Sequence, residues 1–425
     1  TGSGKYLFLI DEAHNLVDRA REMYSAVLVK EDVLAAKKLF PDDKGVVRKL
    51  ESLNRVMLEL KRECEGETVF EPETVPSALI YQADRLREAI SSYLERHRLR
   101  EEAEEKRTFF FKLYTFLETF DAMGQGYLPY ASFDEEGRFF VKLFCIDPAE
   151  RLKERLEEAR SAIFFSATLL PVNYYKSLLT GNQDENAVYL DSPFDPENRR
   201  ILVFRDVSSK YTRRNDAEFE KIAFCLHAFA KEKTGHYLAF FPSYKFLESV
   251  SEKMEALPDD IRILKQRQGM TEEERLTFLR EFTGEDSGDR SLIGLTVSGG
   301  IFSEGIDLKG DALIGVAVVG TGLPLVSRER ELMKRYFDSV GGSGFDFAYR
   351  FPGFNKVMQA AGRLIRTMDD RGVILLMDER FLQSGNRALF PREWASFETV
   401  RSDSFCGPVR EFWSRSGIGE NTPET

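Results

Sequence analysis

The sequence predicts an α/β protein built on parallel sheets, and three observations point there. A fully apolar run, Leu7 to Ile10, feeds straight into two adjacent carboxylates, Asp11 and Glu12; a buried parallel strand ends this way at the mouth of an α/β sheet, where ligands collect. A second apolar run, Ser161 to Phe165, ends in Ser166-Ala167-Thr168. From about residue 200 onward, apolar strands and helical segments alternate regularly, the pattern of a parallel sheet covered on both faces.

Taken in order, residues 6–19 read as a strand, an acidic turn and the start of a helix. From about 20 to 125, Leu, Val, Ile and Phe recur at helical spacing among charged residues, with few turn signals. Tyr93 to Arg107 is a long, highly charged helix candidate. Its charges read as a solvated face with i,i+4 pairs; a nucleic-acid contact through Arg96, Arg98 and Arg100 is the alternative. The aromatic run Thr108 to Phe120 reads as core between helices, with a base-stacking platform as the alternative. Residues 138–145 read as a strand, 148–160 as a charged helix, and Asp191 to Pro196 as a turn-rich linker. Beyond the linker, strands are expected at 201–204, 237–241, 261–264, 292–297, 312–319 and 372–377, and helices at 215–231, 244–256, 271–283, 327–338 and 354–366.

Composition bounds the function classes. The 425 residues are 42% hydrophobic and 31% charged, an ordinary globular balance for two to three domains. No apolar stretch approaches the roughly 20 residues of a membrane span, and the small, polar start lacks a signal-peptide pattern, so no membrane partner is expected. The four cysteines, Cys64, Cys145, Cys225 and Cys406, are far apart, which leaves no zinc or iron–sulfur spacing and suits a reducing, cytoplasmic setting. A net charge of −11 argues against a protein coated in nucleic acid but is compatible with a basic groove on an acidic body.

The chemistry concentrates in a few segments. Asp11 beside Glu12 can hold Mg²⁺ and activate water next to a nucleotide γ-phosphate; the plainer alternative is a solvated turn. Gln359-Ala-Ala-Gly-Arg363-Leu-Ile-Arg366 supplies the arginines such a site needs, or forms a surface salt-bridge face on a helix. Ser166-Ala-Thr168, at the end of the second apolar run, reads by itself as a helix N-cap with its turn.

Five segments line up in order: Asp11-Glu-Ala-His14; Phe165-Ser-Ala-Thr-Leu169; Phe240-Phe-Pro-Ser-Tyr244; Gly299-Gly-Ile-Phe-Ser-Glu-Gly305-Ile-Asp307-Leu308; and Gln359 to Arg366. The set resembles the superfamily-two helicases, specifically the branch containing DinG and XPD. The Phe-Ser-Glu-Gly-Ile-Asp wording points to that branch, as does the interval of about 150 residues between His14 and Ser166, which in the family holds a helical arch domain. The resemblance implies RecA-like parallel-sheet lobes with an inserted, mainly helical arch. It divides the chain into a remnant of the first lobe with the acidic box at 1–19, the arch at 20–137, a return to the first lobe at 138–190, and the second lobe at 191–425.

The same resemblance implies ATP and Mg²⁺ as ligands and ATP-driven movement on single-stranded or forked DNA, 5′ to 3′. Asp11 would hold Mg²⁺, Glu12 would share the metal site and deprotonate the attacking water, and His14 would couple the site to the second lobe. Ser166 and Thr168 would link nucleotide state to strand movement. Gly305 and Asp307 would face the nucleotide, and Gln359, Arg363 and Arg366 would close over its γ-phosphate. A monomer is expected.

One segment departs from the family. Thr1-Gly-Ser-Gly4-Lys5 carries the wording of a phosphate-binding loop, yet Lys5 runs straight into the strand that ends at Asp11, and Tyr6 stands where a Mg²⁺-binding Ser or Thr belongs. Gly4 and Lys5 are either a true nucleotide-binding loop with the following stretch missing, or a flexible joining segment with coincidental wording. In both cases the first lobe is expected to be incomplete, without an iron–sulfur insert, and the chain alone is expected to bind ATP weakly and turn it over slowly or not at all. The rival readings are a non-catalytic DNA- or protein-binding fragment and, ranked lower, a metal-dependent single-strand nuclease.

Overall fold

The computed structural model of the chain describes residues 6–64, 69–70, 74–97, 104–283, 290–300, 302 and 313–415. The chain divides into two compact units, Thr1–Glu185 and Asn186–Thr425.

In the first unit, strand β1 (Leu7–Ile10) and strand β6 (Ser161–Phe164) form a two-stranded parallel sheet, with Leu9 opposite Ile163 and Ile10 opposite Phe164. Helix α1 (Leu16–Tyr24) follows β1, while α6 (Ala149–Leu156) and α7 (Val172–Thr180) flank β6. Between them lies an insertion with its own core. Its helices are α2 (Lys30–Ala35), α3 (Lys44–Glu63), α4 (Ser77–Arg96) and α5 (Glu104–Asp121). Its strands are β2 (Ala26–Val29), β3 (Val69–Phe70), β4 (Tyr127–Phe133) and β5 (Phe139–Cys145), in the antiparallel order β2-β5-β4-β3.

The helical periodicity accounts for this core. Val46, Leu50, Leu53, Met57 and Leu60 fall on one stripe of α3 and are buried, as the 3.6-residue period requires. Asp43 caps that helix by accepting the Val46 N–H at 3.0 Å. Within the aromatic run, Phe109, Leu113, Phe116 and Leu117 are buried against the other helices, while Phe111 and Tyr114 face solvent. Two points differ from the sequence reading. Ala26–Val29 is a strand inside a stretch read as helical. Phe139–Cys145, grouped by sequence with the returning parallel lobe, pairs antiparallel with β2 and β4; its alternating buried residues Phe139, Val141 and Leu143 pack on the insertion's helices. The charged candidate from Tyr93 to Arg107 contributes the end of α4 and the start of α5; Arg98 and Arg100 lie outside the described residues.

The second unit is a seven-stranded, wholly parallel sheet. Its strands are β7 (Arg199–Phe204), β8 (His236–Phe241), β9 (Arg262–Lys265), β10 (Leu292–Val297), β11 (Gly315–Val319), β12 (Gly372–Met377) and β13 (Glu398–Val400), in the order β13-β7-β12-β11-β8-β10-β9. The central strands β8, β11 and β12 are buried along their whole length, which is why they read as unbroken apolar runs. The connecting helices are α8 (Asp216–Lys231), α9 (Tyr244–Glu255), α10 (Glu272–Thr283), α11 (Arg328–Ser339) and α12 (Phe351–Ala361), followed by α13 (Ser384–Arg387) and α14 (Cys406–Arg415).

One boundary bears on function. The sequence predicts a helix over 354–366, but α12 starts at Phe351, after a π turn at Asp346–Arg350, and stops at Ala361. Arg363 and Arg366 therefore sit in the turn after the helix.

Candidate functional site

In the first unit, β1 carries the chain to its carboxyl edge and delivers Asp11 and Glu12, both exposed. Glu12 has φ 48° and ψ 41°, a left-handed backbone that a residue with a Cβ rarely adopts. Two hydrogen bonds hold it there: the Ala13 N–H donates to Phe165 O at the end of β6 (3.2 Å), and the Asn15 N–H donates to Glu12 O (2.9 Å). Asp11 Oδ1 accepts the Glu12 N–H at 2.7 Å.

The side chains then converge. Ser166, just past β6, donates its hydroxyl to Glu12 Oε2 at 3.1 Å. His14, 7% exposed, places Nδ1 at 2.8 Å from Ser166 Oγ and 3.2 Å from Glu12 Oε2. A proton on His14 Nδ1 serves both oxygens, and the Thr168 N–H donates to Ser166 Oγ at 3.2 Å. Four residues that the sequence singled out, Glu12, His14, Ser166 and Thr168, thus share one hydrogen-bonded cluster at the carboxyl end of the parallel pair.

A left-handed backbone at a residue with a Cβ costs stability. Glu12→Gly is therefore expected to exceed Glu12→Ala in unfolding free energy by about 1 kcal/mol, because both lose the carboxylate but only Gly relieves the positive φ. Urea unfolding of the two variants reads that difference; equal stabilities would contradict it.

In the second unit, Gln359 occupies the last turn of α12, and the helix closes with the Gly362 N–H donating to Met358 O at 2.8 Å. Arg363 and Leu364 donate their N–H groups to Ala360 O and Ala361 O in tighter i→i−3 bonds. Asp370, 4% exposed, then takes over as acceptor: its Oδ2 receives the N–H of Arg366 and of Thr367, each at 2.6 Å, and its Oδ1 receives the Thr367 hydroxyl at 2.9 Å. Sequence reasoning missed Asp370; its signal was an Asp four residues after the last motif arginine, just before the buried strand β12. Gly4, Lys5, Gly305 and Asp307 lie outside the described residues.

The oxygen donors suit a hard cation. Among the described residues no cluster of three or more His, Cys, Asp or Glu side chains could cage a metal. Two adjacent, exposed carboxylates remain, Asp11 with one oxygen uncommitted by the Glu12 N–H, and Glu12 with Oε2 held by Ser166 and His14. That fits Mg²⁺, which binds through one or two carboxylates together with water and substrate phosphates. Cys145, Cys225 and Cys406 form no disulfide; burial pushes the Cys145 and Cys406 thiols up to about 11, which disfavours thiolate chemistry. No described helix is long and apolar enough to cross a membrane.

Residues 226–397 match the family described as the helicase C-terminal domain. The general transcription and DNA repair factor IIH helicase subunit XPD of Schizosaccharomyces pombe is 27% identical over 266 residues, covering 59% of this chain and 34% of that protein. The ATP-dependent DNA helicase DinG of Photobacterium profundum is 28% identical over 257 residues, covering 59% of this chain and 36% of that protein. The ATP-dependent DNA helicase CHL1 of Yarrowia lipolytica is 25% identical over 482 residues, covering 96% of this chain and 59% of that protein. Among solved structures, S. tokodaii Xpd4 superposes with a TM-score of 0.59 at 18% identity, over 93% of this chain and 76% of that one. The chain thus spans about a third to three fifths of the length of these curated relatives, and the structural likeness establishes a shared α/β helicase fold.

Proposed function

We propose that the chain, a member of the XPD and DinG branch of superfamily-two helicases, carries most of an ATP-driven motor that moves along single-stranded DNA, in the 5′ to 3′ direction that the motif resemblance implies. The observation that carries this reading is the approach of Ser166 Oγ to Glu12 Oε2 at 3.1 Å: motif residues about 150 positions apart in sequence meet where a parallel sheet presents its carboxyl edge.

Asp11 would hold Mg²⁺ through the oxygen not engaged by the Glu12 N–H, and the metal would supply charge neutralisation on the phosphates. Glu12 Oε1 accepts the proton of the attacking water, while Ser166 and His14 fix Oε2 so that the carboxylate presents one oxygen only. Gln359 contacts the γ-phosphate, and Arg363 and Arg366 stabilise charge on the transferring phosphoryl. Gly4, Lys5, Gly305 and Asp307 complete the nucleotide contacts in this assignment.

A second observation bears on how much of the motor is present. Leu7, Leu9 and Ile163 share one face of the β1–β6 pair and are 67%, 70% and 56% exposed, and Phe165, the residue after β6, is 44% exposed. Parallel strands are ordinarily buried on both faces, as β8, β11 and β12 are in the same chain, and an isolated two-stranded sheet is marginal. The bare face supports an incomplete first lobe, and with it the alternative that the chain by itself acts as a DNA- or protein-binding piece.

A steady-state ATPase assay decides between these, run on the chain and on the full-length protein with and without single-stranded DNA. The motor reading expects DNA-stimulated turnover in the full-length protein and little in the chain alone. DNA binding indifferent to ATP, with no turnover in either form, would support the binding-piece alternative.

A further inference from the structure

We propose that Asp370 is a positioning residue for the arginine motif: its buried carboxylate sets the backbone from which Arg366 reaches the γ-phosphate. The proposal rests on the nucleotide-site reading of Arg366 and deepens it.

Helix carbonyls accept the N–H groups of Gly362, Arg363 and Leu364, but the backbone N–H groups of Arg366 and Thr367 are beyond that reach and need another partner. Asp370 Oδ2 receives both at 2.6 Å, and Oδ1 receives the Thr367 hydroxyl at 2.9 Å, so the two carboxylate oxygens serve three donors. The Asp370 N–H closes the same turn onto Thr367 O at 3.4 Å. Outside the turn, Asn198 Nδ2 donates to Met368 O at 3.0 Å, and Asp370 stands two residues before Gly372, the first residue of β12. The turn is thereby tied to a rigid parallel strand through a group that is 4% exposed.

Such a clamp matters for an arginine. The guanidinium is a planar fork whose value lies in bidentate aim, and a displacement of about 1 Å at a reacting phosphoryl slows the chemistry far more than the strength of one hydrogen bond would suggest. A carboxylate bonded to the Arg366 N–H fixes Cα and the Cα–Cβ direction, the base from which the side chain extends. The charge makes these bonds stronger than a neutral acceptor would. A carboxamide of the same shape keeps one acceptor oxygen and loses the second, so the turn should loosen without collapsing.

The test uses the full-length protein and four variants: Asp370→Asn, Asp370→Ala, Thr367→Ala and Arg366→Ala. Affinities for a non-hydrolysable ATP analogue and for ADP are measured by calorimetry, with amide exchange over 364–371 and thermal unfolding recorded alongside. The expected result is an ATP-over-ADP preference reduced about tenfold in Asp370→Ala and by a smaller factor in Asp370→Asn, with ADP affinity held within about twofold, as befits loss of aim at one phosphate. Amide exchange at Arg366 and Thr367 should rise in step, and Thr367→Ala, which removes only the hydroxyl, should fall between wild type and Asp370→Asn. A lowered unfolding temperature with an unchanged ATP-over-ADP preference in Asp370→Asn and Thr367→Ala overturns the proposal and leaves Asp370 a structural cap. If Arg366→Ala also leaves the preference unchanged, the nucleotide role of Arg366 falls, and the positioning role with it; if Arg366→Ala abolishes the preference while both Asp370 variants keep it, only the positioning role falls.

Discussion

Glu12→Gln in the full-length protein is expected to lower the DNA-stimulated turnover number for ATP by roughly two to four orders of magnitude, the range over which positioned general bases act, with KM for ATP changed less than about threefold. Gln has the shape of Glu and still offers an oxygen to the Ser166 hydroxyl, so the 3.1 Å hydrogen bond survives and the fold is not at issue. The Glu12 side chain is 64% exposed, although the His14 ring that it touches is buried. What disappears is the capacity to accept a proton. A loss confined to turnover is the signature of an interaction made in the transition state rather than on substrate binding. Arg366→Ala provides the cross-check: if Glu12 and Arg366 serve one chemical step, the double variant falls to about the level of the worse single variant, because groups that act as a unit are not additive. Normal turnover in Glu12→Gln would remove the base assignment, and multiplicative losses in the double variant would separate the two residues.

How much of this site was legible in the sequence depended on which physical signal each part left. Asp11, Glu12, His14 and Ser166 could be named because β1 and β6 are written as continuous apolar runs, as parallel strands are, even though one face of the pair is bare, and polar residues directly after such runs stand at the sheet's edge. The central strands β8, β10 and β12 were visible for the same reason. The left-handed conformation of Glu12 was not, because Glu carries no preference for positive φ and the cause lies in the pairing of the Ala13 N–H with Phe165 O, far along the chain. Strand β2 was hidden because its four residues adjoin helices on both sides, and β13 because three residues carry no pattern. The end of α12 was overextended for a definite reason: Leu364 and Ile365 continue the apolar period and are buried, while the acceptor that ends the helix, Asp370, comes from four residues further on. Periodicity reports which face is buried; it does not report which acceptor each N–H finds.

Asp378→Ala is expected to destabilise the second unit by about 3–5 kcal/mol, the range for breaking a buried charge pair from one side. Asp378 follows β12 directly and its side chain is fully buried. Its Oδ1 accepts the N–H and Nε of Arg380 at 2.9 and 2.8 Å, and its Oδ2 accepts Arg380 Nη2, the Ser209 N–H and the Ser209 hydroxyl, each at 2.8 Å. Arg380 Nη2 also donates to Ser209 Oγ at 2.7 Å, so the carboxylate ties the loop after β7 to the end of β12. Removing it strands the Ser209 N–H and a guanidinium that is 18% exposed, each at the cost of an unsatisfied buried donor. Burial pushes the Asp378 carboxyl up, but the Arg380 guanidinium and the backbone N–H groups of Arg380 and Ser209 outweigh it and hold the group below the ordinary carboxylate value. A carboxylate depressed on folding contributes stability that is present above its unfolded value, about 3.9, and is lost as pH falls through its folded value. The gap between wild type and Asp378→Ala should therefore be wide at pH 7 and narrow as the pH drops through and below about 4. Both tryptophans, Trp394 and Trp413, lie in this unit, so urea unfolding followed by tryptophan fluorescence reads it without interference from the first unit. Arg380→Ala is expected to cost less than Asp378→Ala, because the carboxyl left behind can take up a proton whereas a stranded guanidinium cannot lose one. A gap under about 1 kcal/mol at pH 7, or one that holds its width into acid, would show that the β7 and β12 loops are held by packing rather than by this charge.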